Sequence, residues 1–228
     1  MSTIADNVSQ VDERIRAAAL VAQRDQATIQ LLAVSKTKPA AALREAFAAG
    51  LHDFGENYLQ EALSKQLELA DLPLCWHFIG PIQSNKTRAI AENFAWVHSV
   101  DRLKIAQRLS EQRPAELPPL NICIQVNVSG EDSKSGCTPA DLPALAAAIS
   151  ALPRLKLRGL MAIPEPTEDS AAQNAAFATV RSLQESLNLP LDTLSMGMSH
   201  DLEAAIAQGA TWVRIGTALF GARDYGQP

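Results

Sequence analysis

The chain has 228 residues, of which 47% are hydrophobic and 20% charged, with a formal net charge of −5. This is the composition of a globular protein with one sizeable core, and the negative charge, without a Lys/Arg run, argues against a nucleic-acid binder. Cys75, Cys123 and Cys137 form no C-x-x-C pair, so neither a disulfide framework nor a zinc site is expected. Because no segment has the apolar length of a membrane span or signal-peptide core, we expect a cytoplasmic protein that does not bind membranes.

Apolar strand-like runs alternate with amphipathic helical stretches along almost the whole chain. After a helix at 4–24, we expect strands at 29–35, 51–54, 74–79, 95–99, 120–127, 155–162, 192–196 and 211–214. The run at 51–54 is the weakest strand pattern. Between the strands we expect helices at 39–49, 56–69, 85–93, 102–113, 139–151, 169–187 and 201–208. Pro39 and Pro139 suit first helical turns, and Gly50 and Gly209 suit helix ends.

Eight strands, each joined to the next by a helix, predict an α/β fold. The pattern is that of a single (β/α)8 TIM barrel domain over residues 1–228, with an extra N-terminal helix. A doubly wound open sheet is the alternative, since short strands are easily miscounted. The barrel is favoured because candidate ligand groups follow both the first and the last strands, which closure brings together. No edge strand or long apolar helix requires a partner, so we expect a monomer.

Lys36 directly follows the apolar run at 29–35. In a parallel α/β barrel the chemistry lies at the carboxyl ends of the strands, and a desolvated lysine there can lose its proton and attack a carbonyl carbon. In isolation such a lysine more often extends past the strand end into solvent. Two turns near the end of the chain favour the interpretation of Lys36 as a functional residue.

Two turns near the end of the chain are typical of a phosphate site. After the seventh strand, Gly197 precedes Ser199, the expected N-cap of the next helix, where N–H groups and the helix dipole attract an anion. After the eighth strand, Gly216 allows close backbone approach, and Thr217 offers an N–H and a hydroxyl. Each turn alone is more often only structural, but these two loops are a frequent phosphate site in barrels. Combined with the amine of Lys36, they indicate pyridoxal phosphate.

Arg214 lies within the last predicted strand. If its side chain points into the barrel, burial is costly unless the guanidinium finds an acceptor. A pyridine nitrogen is such an acceptor, and the positive charge would keep it unprotonated, which makes the ring a poor electron sink. An arginine that points outward between helices is the alternative.

With these residues in place, the chain resembles the YggS/PROSC family of pyridoxal phosphate homeostasis proteins. The motifs cover nearly the whole chain: LAVSK at 32–36, FGENY at 54–58, WHFIG at 76–80, QSNK at 83–86, VNV at 126–128, KSG at 134–136, GLM at 159–161, SMGMSHDLE at 195–203 and RIGTALFG at 214–221. The resemblance implies a barrel similar to the amino-terminal domain of bacterial alanine racemase, with pyridoxal phosphate bound to Lys36 as a Schiff base. It also implies phosphate contacts from Ser199, Gly216 and Thr217, Arg214 near the pyridine nitrogen, and Asn57, His77 and Met196 near the cofactor.

The resemblance implies a non-catalytic protein of pyridoxal phosphate homeostasis and carriage, with enzymes that lack the cofactor as recipients. Alanine racemases add a second domain whose tyrosine is the opposite base, whereas this chain has only Tyr58 and Tyr225. Two-base proton transfer needs two positioned groups, so a fold-type III amino-acid racemase is only the alternative. A Schiff-base aldolase is a third hypothesis. We assign no catalytic residue. The four histidines lack H-x-H and H-E-x-x-H spacing, so no metal site is predicted.

Overall fold

The structure is a computed structural model that describes residues 2–129 and 135–221. Eight parallel strands close into a barrel in the order of the chain. They are β1 (Gln30–Val34), β2 (Asp53–Glu56), β3 (Cys75–Phe78), β4 (Trp96–Val100), β5 (Leu120–Gln125), β6 (Leu155–Met161), β7 (Thr193–Ser195) and β8 (Trp212–Ile215). The predicted (β/α)8 barrel is therefore confirmed.

Helices surround the barrel, and one of them precedes the first strand. They are α1 (Ile4–Val21), α2 (Ala40–Ala48), α3 (Leu59–Glu68), α4 (Thr87–Asn93), α5 (Leu103–Gln112), α6 (Leu142–Ser150), α7 (Ser170–Ser186), α8 (Leu202–Ala207) and α9 (Thr217–Phe220). The extra helix α1 begins with a capping box between Thr3 and Asp6, and it packs against α2, α8 and α9. None of the helices in the described ranges is long and apolar enough to cross a membrane.

The barrel closes where β1 pairs with β8, with Leu32 opposite Arg214 and Ala33 opposite Ile215. The main apolar core fills the layer between the strands and the helices, and Phe54, Phe78 and Phe177 are its largest fully buried side chains. Closure places the carboxyl ends of the first and last strands side by side. That neighbourhood positions the candidate site.

Among the differences from the sequence-based expectations, three concern β2, α6 and α9. β2 begins at Asp53 and runs through Gly55 to Glu56, so Glu56 is not in a helix as predicted. A Cβ at Gly55 would lie 3.1–3.2 Å from Ile79 and Leu32, so this glycine allows close packing around β2. Glycine is disfavoured inside strands, which is why the sequence pattern did not extend the strand to Glu56.

The other two differences concern the start of α6 and the short helix α9. α6 begins at Leu142, and Pro139 lies before it instead of in its first turn. α9 was not predicted, because four residues are too few to show a helical period. The expected helix ends are confirmed, since Gly50 and Gly209 have φ values of +98° and +99°. Lys134 and Tyr225, named above, lie outside the described residues.

Candidate functional site

A cavity of about 330 Å³ opens at the carboxyl ends of the strands. Its walls come from the segments that follow β1, β2, β3, β6, β7 and β8. The structure brings six of the eight predicted site residues together here: Lys36, Asn57, Ser199, Arg214, Gly216 and Thr217. Side chains from opposite ends of the sequence thus share one cavity because the barrel is closed.

The other two predicted site residues lie behind the wall. Met196 is fully buried in the core between strands and helices, and Met198, two residues later, lines the cavity instead. His77 is fully buried in the barrel interior, where its ring stacks on Trp96 at a centroid distance of 5.5 Å. Neither Met196 nor His77 is among the described residues of the cavity wall.

The turn after β7 differs from the expectation in one respect. α8 begins at Leu202, so its N-cap is Asp201 and not Ser199. The Asp201 carboxylate accepts a hydrogen bond from the Met198 N–H at 2.6 Å, which folds the turn and leaves Ser199 on the cavity wall. The turn therefore presents Ser199 toward a ligand without using it as a cap.

The turn after β8 brings the start of α9 to the cavity. Gly216 is the N-cap, and Thr217 is the first helical residue. A Cβ on Gly216 would lie 3.2 Å from the Val34 carbonyl oxygen, so this glycine allows β8 to pack tightly against the end of β1. The first N–H groups of a helix have no acceptor within it, and here they face the same space as Ser199.

Cationic side chains dominate the charge of the cavity. Lys36, Lys38 and Arg214 line it, and no carboxylate does so among the residues described. Lys38 was missed by the sequence analysis, although its spacing of two from Lys36 was a usable signal. Its ammonium donates to the Phe220 carbonyl oxygen at 3.0 Å, which connects the segment after β1 to α9. The cavity therefore favours an anion.

Both neighbours of Lys36 are held by buried or bridging polar contacts. The Ser35 hydroxyl donates to Glu56 Oε1 at 2.5 Å, and the Lys65 ammonium donates to the Ser35 carbonyl oxygen at 2.7 Å. On the other side, the Thr37 N–H donates to Glu61 at 2.6 Å. Thr37 has a φ of +65°, a strained conformation for a β-branched residue that its surroundings must maintain. These contacts fix the backbone that carries Lys36.

Arg214 points into the barrel and is only 4% exposed, so the outward alternative does not apply. Its Nη1 donates to Ser195 Oγ at 2.9 Å, and its Nη2 donates to the Ala162 carbonyl oxygen at 3.0 Å. Burial lowers the pKa of Arg214 to about 10, so the guanidinium stays positive at neutral pH. A buried cation with two neutral partners faces the cavity.

One group of potential metal ligands lies on the amino-terminal side of the barrel interior. The ligand atoms of Asp53, Cys75 and His77 all lie within 4.8 Å of one another. Both ring nitrogens of His77 already have hydrogen-bonding neighbours, namely Asp53 Oδ1 at 3.0 Å and His98 Nε2 at 2.9 Å. Burial raises the pKa of the Cys75 thiol to about 12, whereas metals bind the thiolate. The absence of a metal site stays a prediction.

Comparison with known proteins identifies the family. The profile described as "Alanine racemase, N-terminal domain" matches residues 3–224. The chain is 78% identical to the pyridoxal phosphate homeostasis protein of Pseudomonas aeruginosa, over 100% of this chain and 99% of that protein. This chain belongs to the family of pyridoxal phosphate homeostasis proteins. The resemblance seen in its motifs is confirmed.

Two further proteins are similar to this chain over nearly its whole length. The pyridoxal phosphate homeostasis protein of Escherichia coli strain K12 is 54% identical over 99% of each chain. PipY of Synechococcus elongatus, solved with PLP bound, is 43% identical and has a TM-score of 0.83. The alignment covers 96% of this chain and 100% of PipY. Sequence and structure thus agree over essentially the whole length.

Proposed function

We propose that this protein binds pyridoxal phosphate in the cavity, with the cofactor aldehyde joined to Lys36 as a Schiff base. It acts in homeostasis and carriage of the cofactor, as a single domain. The observation that carries the proposal is the meeting of the Lys36 amine, the turns after β7 and β8, and Arg214 around one cationic cavity. The family supports it, because its members are named for this cofactor.

The residues present fit the chemical groups of the cofactor. The Ser199 hydroxyl and the N–H groups of Gly216 and Thr217 suit a phosphate. Asn57 Oδ1 is a buried acceptor without a hydrogen-bonding partner among the described residues, and such an atom normally requires one. A polar ligand in the cavity would supply that partner. Met196 and His77 contribute from behind the wall, where they support β7 and the barrel interior.

Arg214 would face the ring nitrogen of the cofactor. Pyridoxal phosphate supplies an aldehyde for imine formation and a ring that can accept electrons, most strongly when its nitrogen is protonated. The Arg214 guanidinium has only N–H donors, so it favours an unprotonated ring nitrogen. This arrangement suits a protein that holds the cofactor and does little chemistry with it.

The alternative is an amino-acid racemase, which needs a second proton-transfer group opposite Lys36. In the described part of the wall, Lys38 and His200 are the other side chains that exchange protons, and neither tyrosine nor carboxylate is present. Lys38 is bonded to Phe220, and His200 is 46% exposed. These positions favour carriage over racemisation.

A borohydride experiment with two matched lysine variants tests the binding mode. Pyridoxal phosphate is added to the wild type, Lys36→Ala and Lys38→Ala, and the absorption spectrum is recorded before and after reduction. We expect a reducible band in the wild type and Lys38→Ala, with the label mapped to Lys36, and no stable adduct in Lys36→Ala. A colourless wild type, or a label on Lys38, contradicts the proposal.

Carriage and catalysis are separated by two assays on the loaded protein. We expect a cofactor-requiring enzyme prepared without its cofactor to regain activity when mixed with the loaded protein. We also expect racemisation of a panel of amino acids to proceed no faster than with free cofactor. Turnover well above that background would favour the racemase.

A further inference from the structure

A chain of hydrogen bonds crosses the barrel interior beneath the cavity. From Arg214 Nη1 it passes to Ser195 Oγ at 2.9 Å, and from there to His98 Nδ1 at 2.7 Å. His98 Nε2 lies 2.9 Å from His77 Nδ1, and His77 Nε2 lies 3.0 Å from Asp53 Oδ1. We call these five residues the interior chain. It connects the cavity wall to the opposite, amino-terminal end of the barrel.

The chemistry of its two ends fixes the direction of every bond. Arginine can only donate, so Ser195 Oγ accepts from Arg214 and its own hydroxyl proton is left for His98 Nδ1. A neutral His98 that accepts through Nδ1 carries its proton on Nε2, which donates to His77. His77 then also carries its proton on Nε2, and the carboxylate of Asp53, a pure acceptor, receives it.

The surroundings favour the neutral form of both rings. His77 and His98 are fully buried, and the ring of His77 packs against the stacked ring of Trp96 and the edge-on ring of Trp212, whose centroid is 4.9 Å away. Burial lowers the pKa of His77, although Asp53 opposes the shift. Burial lowers the pKa of His98 well below its usual value, and His77 and the positive Arg214 act in the same direction.

A proton on either ring would break the pattern. If His98 gains a proton, its Nδ1 becomes a donor toward Ser195, and Ser195 Oγ then accepts from both His98 and Arg214. The hydroxyl proton of Ser195 loses its acceptor in a dry interior, which is costly. If His77 gains a proton on Nδ1, His98 must move its own proton to Nδ1, with the same result. The orientation of Ser195 therefore depends on the histidine pair.

We propose that the interior chain is a positioning network for Arg214, and that His98 positions the guanidinium by accepting the Ser195 hydroxyl proton. Ser195 and Ala162 each accept a hydrogen bond from one nitrogen of the guanidinium, and Arg214 also lines the cavity. This inference rests on the proposed function only for the identity of the ligand that Arg214 meets. The hydrogen-bond pattern itself involves only protein atoms and does not depend on which ligand binds.

The first test needs no cofactor. Nitrogen-15 NMR of the histidine rings of the full-length protein, before addition of pyridoxal phosphate, reports tautomer and charge. We expect His77 and His98 to be neutral with the proton on Nε2, and to gain a second proton only at a pH below the usual histidine pKa near 6.5. A proton on Nδ1 of His98, or titration of His98 near pH 6.5, overturns the proposal.

The second test uses a matched pair of substitutions at one position. In His98→Asn the amide lies near the position of Nδ1 and can accept from Ser195, whereas in His98→Gln it lies near that of Nε2 and cannot. We expect His98→Gln and Ser195→Ala to weaken pyridoxal phosphate binding about tenfold, the effect of one hydrogen bond to a charged group. His98→Asn should restore most of that loss, and equal losses in the two His98 variants overturn the proposal.

Inorganic phosphate serves as the control ligand. Because Arg214 is assigned to the ring end, the affinity for inorganic phosphate should be the same in the wild type, His98→Gln and Ser195→Ala. A parallel loss for phosphate would place the effect on the whole cavity and overturn the positioning role. If the wild type binds no pyridoxal phosphate at all, the proposed function fails, while the NMR result still decides whether the interior chain exists.

Discussion

Lys65 Nζ lies 2.8 Å from Glu56 Oε1 directly behind the segment that carries Lys36. Both side chains are removed from solvent, with exposures of 6% and 0%. The same ammonium also pairs with Glu61. Burial raises the pKa of Glu56, and the charge and hydrogen bond of Lys65 act against that rise. The charged pair is thus the internal support of the candidate site.

Replacing Lys65 by Met should destabilise the protein by about 3 kcal/mol, because breaking a buried ion pair leaves an uncompensated charge on Glu56. The loss should be smaller at pH 5 than at pH 8, since a protonated Glu56 carries no charge to compensate. Urea unfolding at the two pH values measures both effects. The exposed Lys104 provides the control, and Lys104→Met should change the free energy of unfolding by less than about 0.5 kcal/mol.

The two interior histidines predict a loss of stability in acid. Because burial lowers the pKa of His77 and His98 in the folded state, the unfolded chain binds more protons, and stability falls as pH drops below about 6.5. Each neutral ring contributes a slope of at most about 1.4 kcal/mol per pH unit. We expect His98→Asn to reduce the slope of unfolding free energy between pH 6.5 and 5, and an unchanged slope would contradict the assigned charge states.

Replacing Gly80 by Ala should weaken cofactor binding. A Cβ on Gly80 would lie 2.4 Å from the Asn57 carbonyl oxygen and 2.8 Å from its Cα, so Asn57 must shift on the cavity wall. We expect at least a tenfold loss of affinity for pyridoxal phosphate, because a loss of about 1.4 kcal/mol in binding free energy is sufficient for that. Gly50→Ala is the control. Its φ of +98° costs about 1 kcal/mol of stability, but it should leave the affinity unchanged.

The described cysteines should be slow to react in the native protein. Burial raises the pKa of Cys75 and Cys123 to about 12 and that of Cys137 to about 11, and the thiolate is the reactive form. At pH 8 we expect iodoacetamide to modify all three at least about a hundredfold more slowly in native buffer than in urea. Mass spectrometry of the modified peptides measures this, and rapid native labelling of Cys75 would show that the barrel interior is open.

The fold and most of the cavity wall followed from local patterns. Most strands were short apolar runs, and the chemistry of a parallel barrel lies where strands end, which was enough to select Lys36, Ser199 and Arg214. It was harder to predict from the sequence which side chains after a strand face the cavity. Met196 and Met198 differ by two positions, but only the turn held by Asp201 decides which side chain reaches the cavity.

The supporting contacts were not predictable, because each of them joins side chains on two different elements of the barrel. Lys65 belongs to an amphipathic helix and resembles a surface lysine, yet it is buried against Glu56 of a neighbouring strand. His98 and Ser195 lie 97 positions apart, and nothing in either strand pattern indicates the other. Such pairings depend on how strands align around the barrel, which a single sequence does not specify.

The pairing of β1 with β8 also sets the moment at which the protein can first hold its ligand. Lys36 is synthesised 178 residues before Arg214, and Gly216 and Thr217 follow shortly after Arg214. At the usual rates of translation, on the order of ten to thirty seconds separate the two events. During that interval the nascent chain carries Lys36 without the turns that we propose to bind the cofactor phosphate. Under the proposed function, cofactor capture therefore has to wait for β8, the strand that completes the cavity wall.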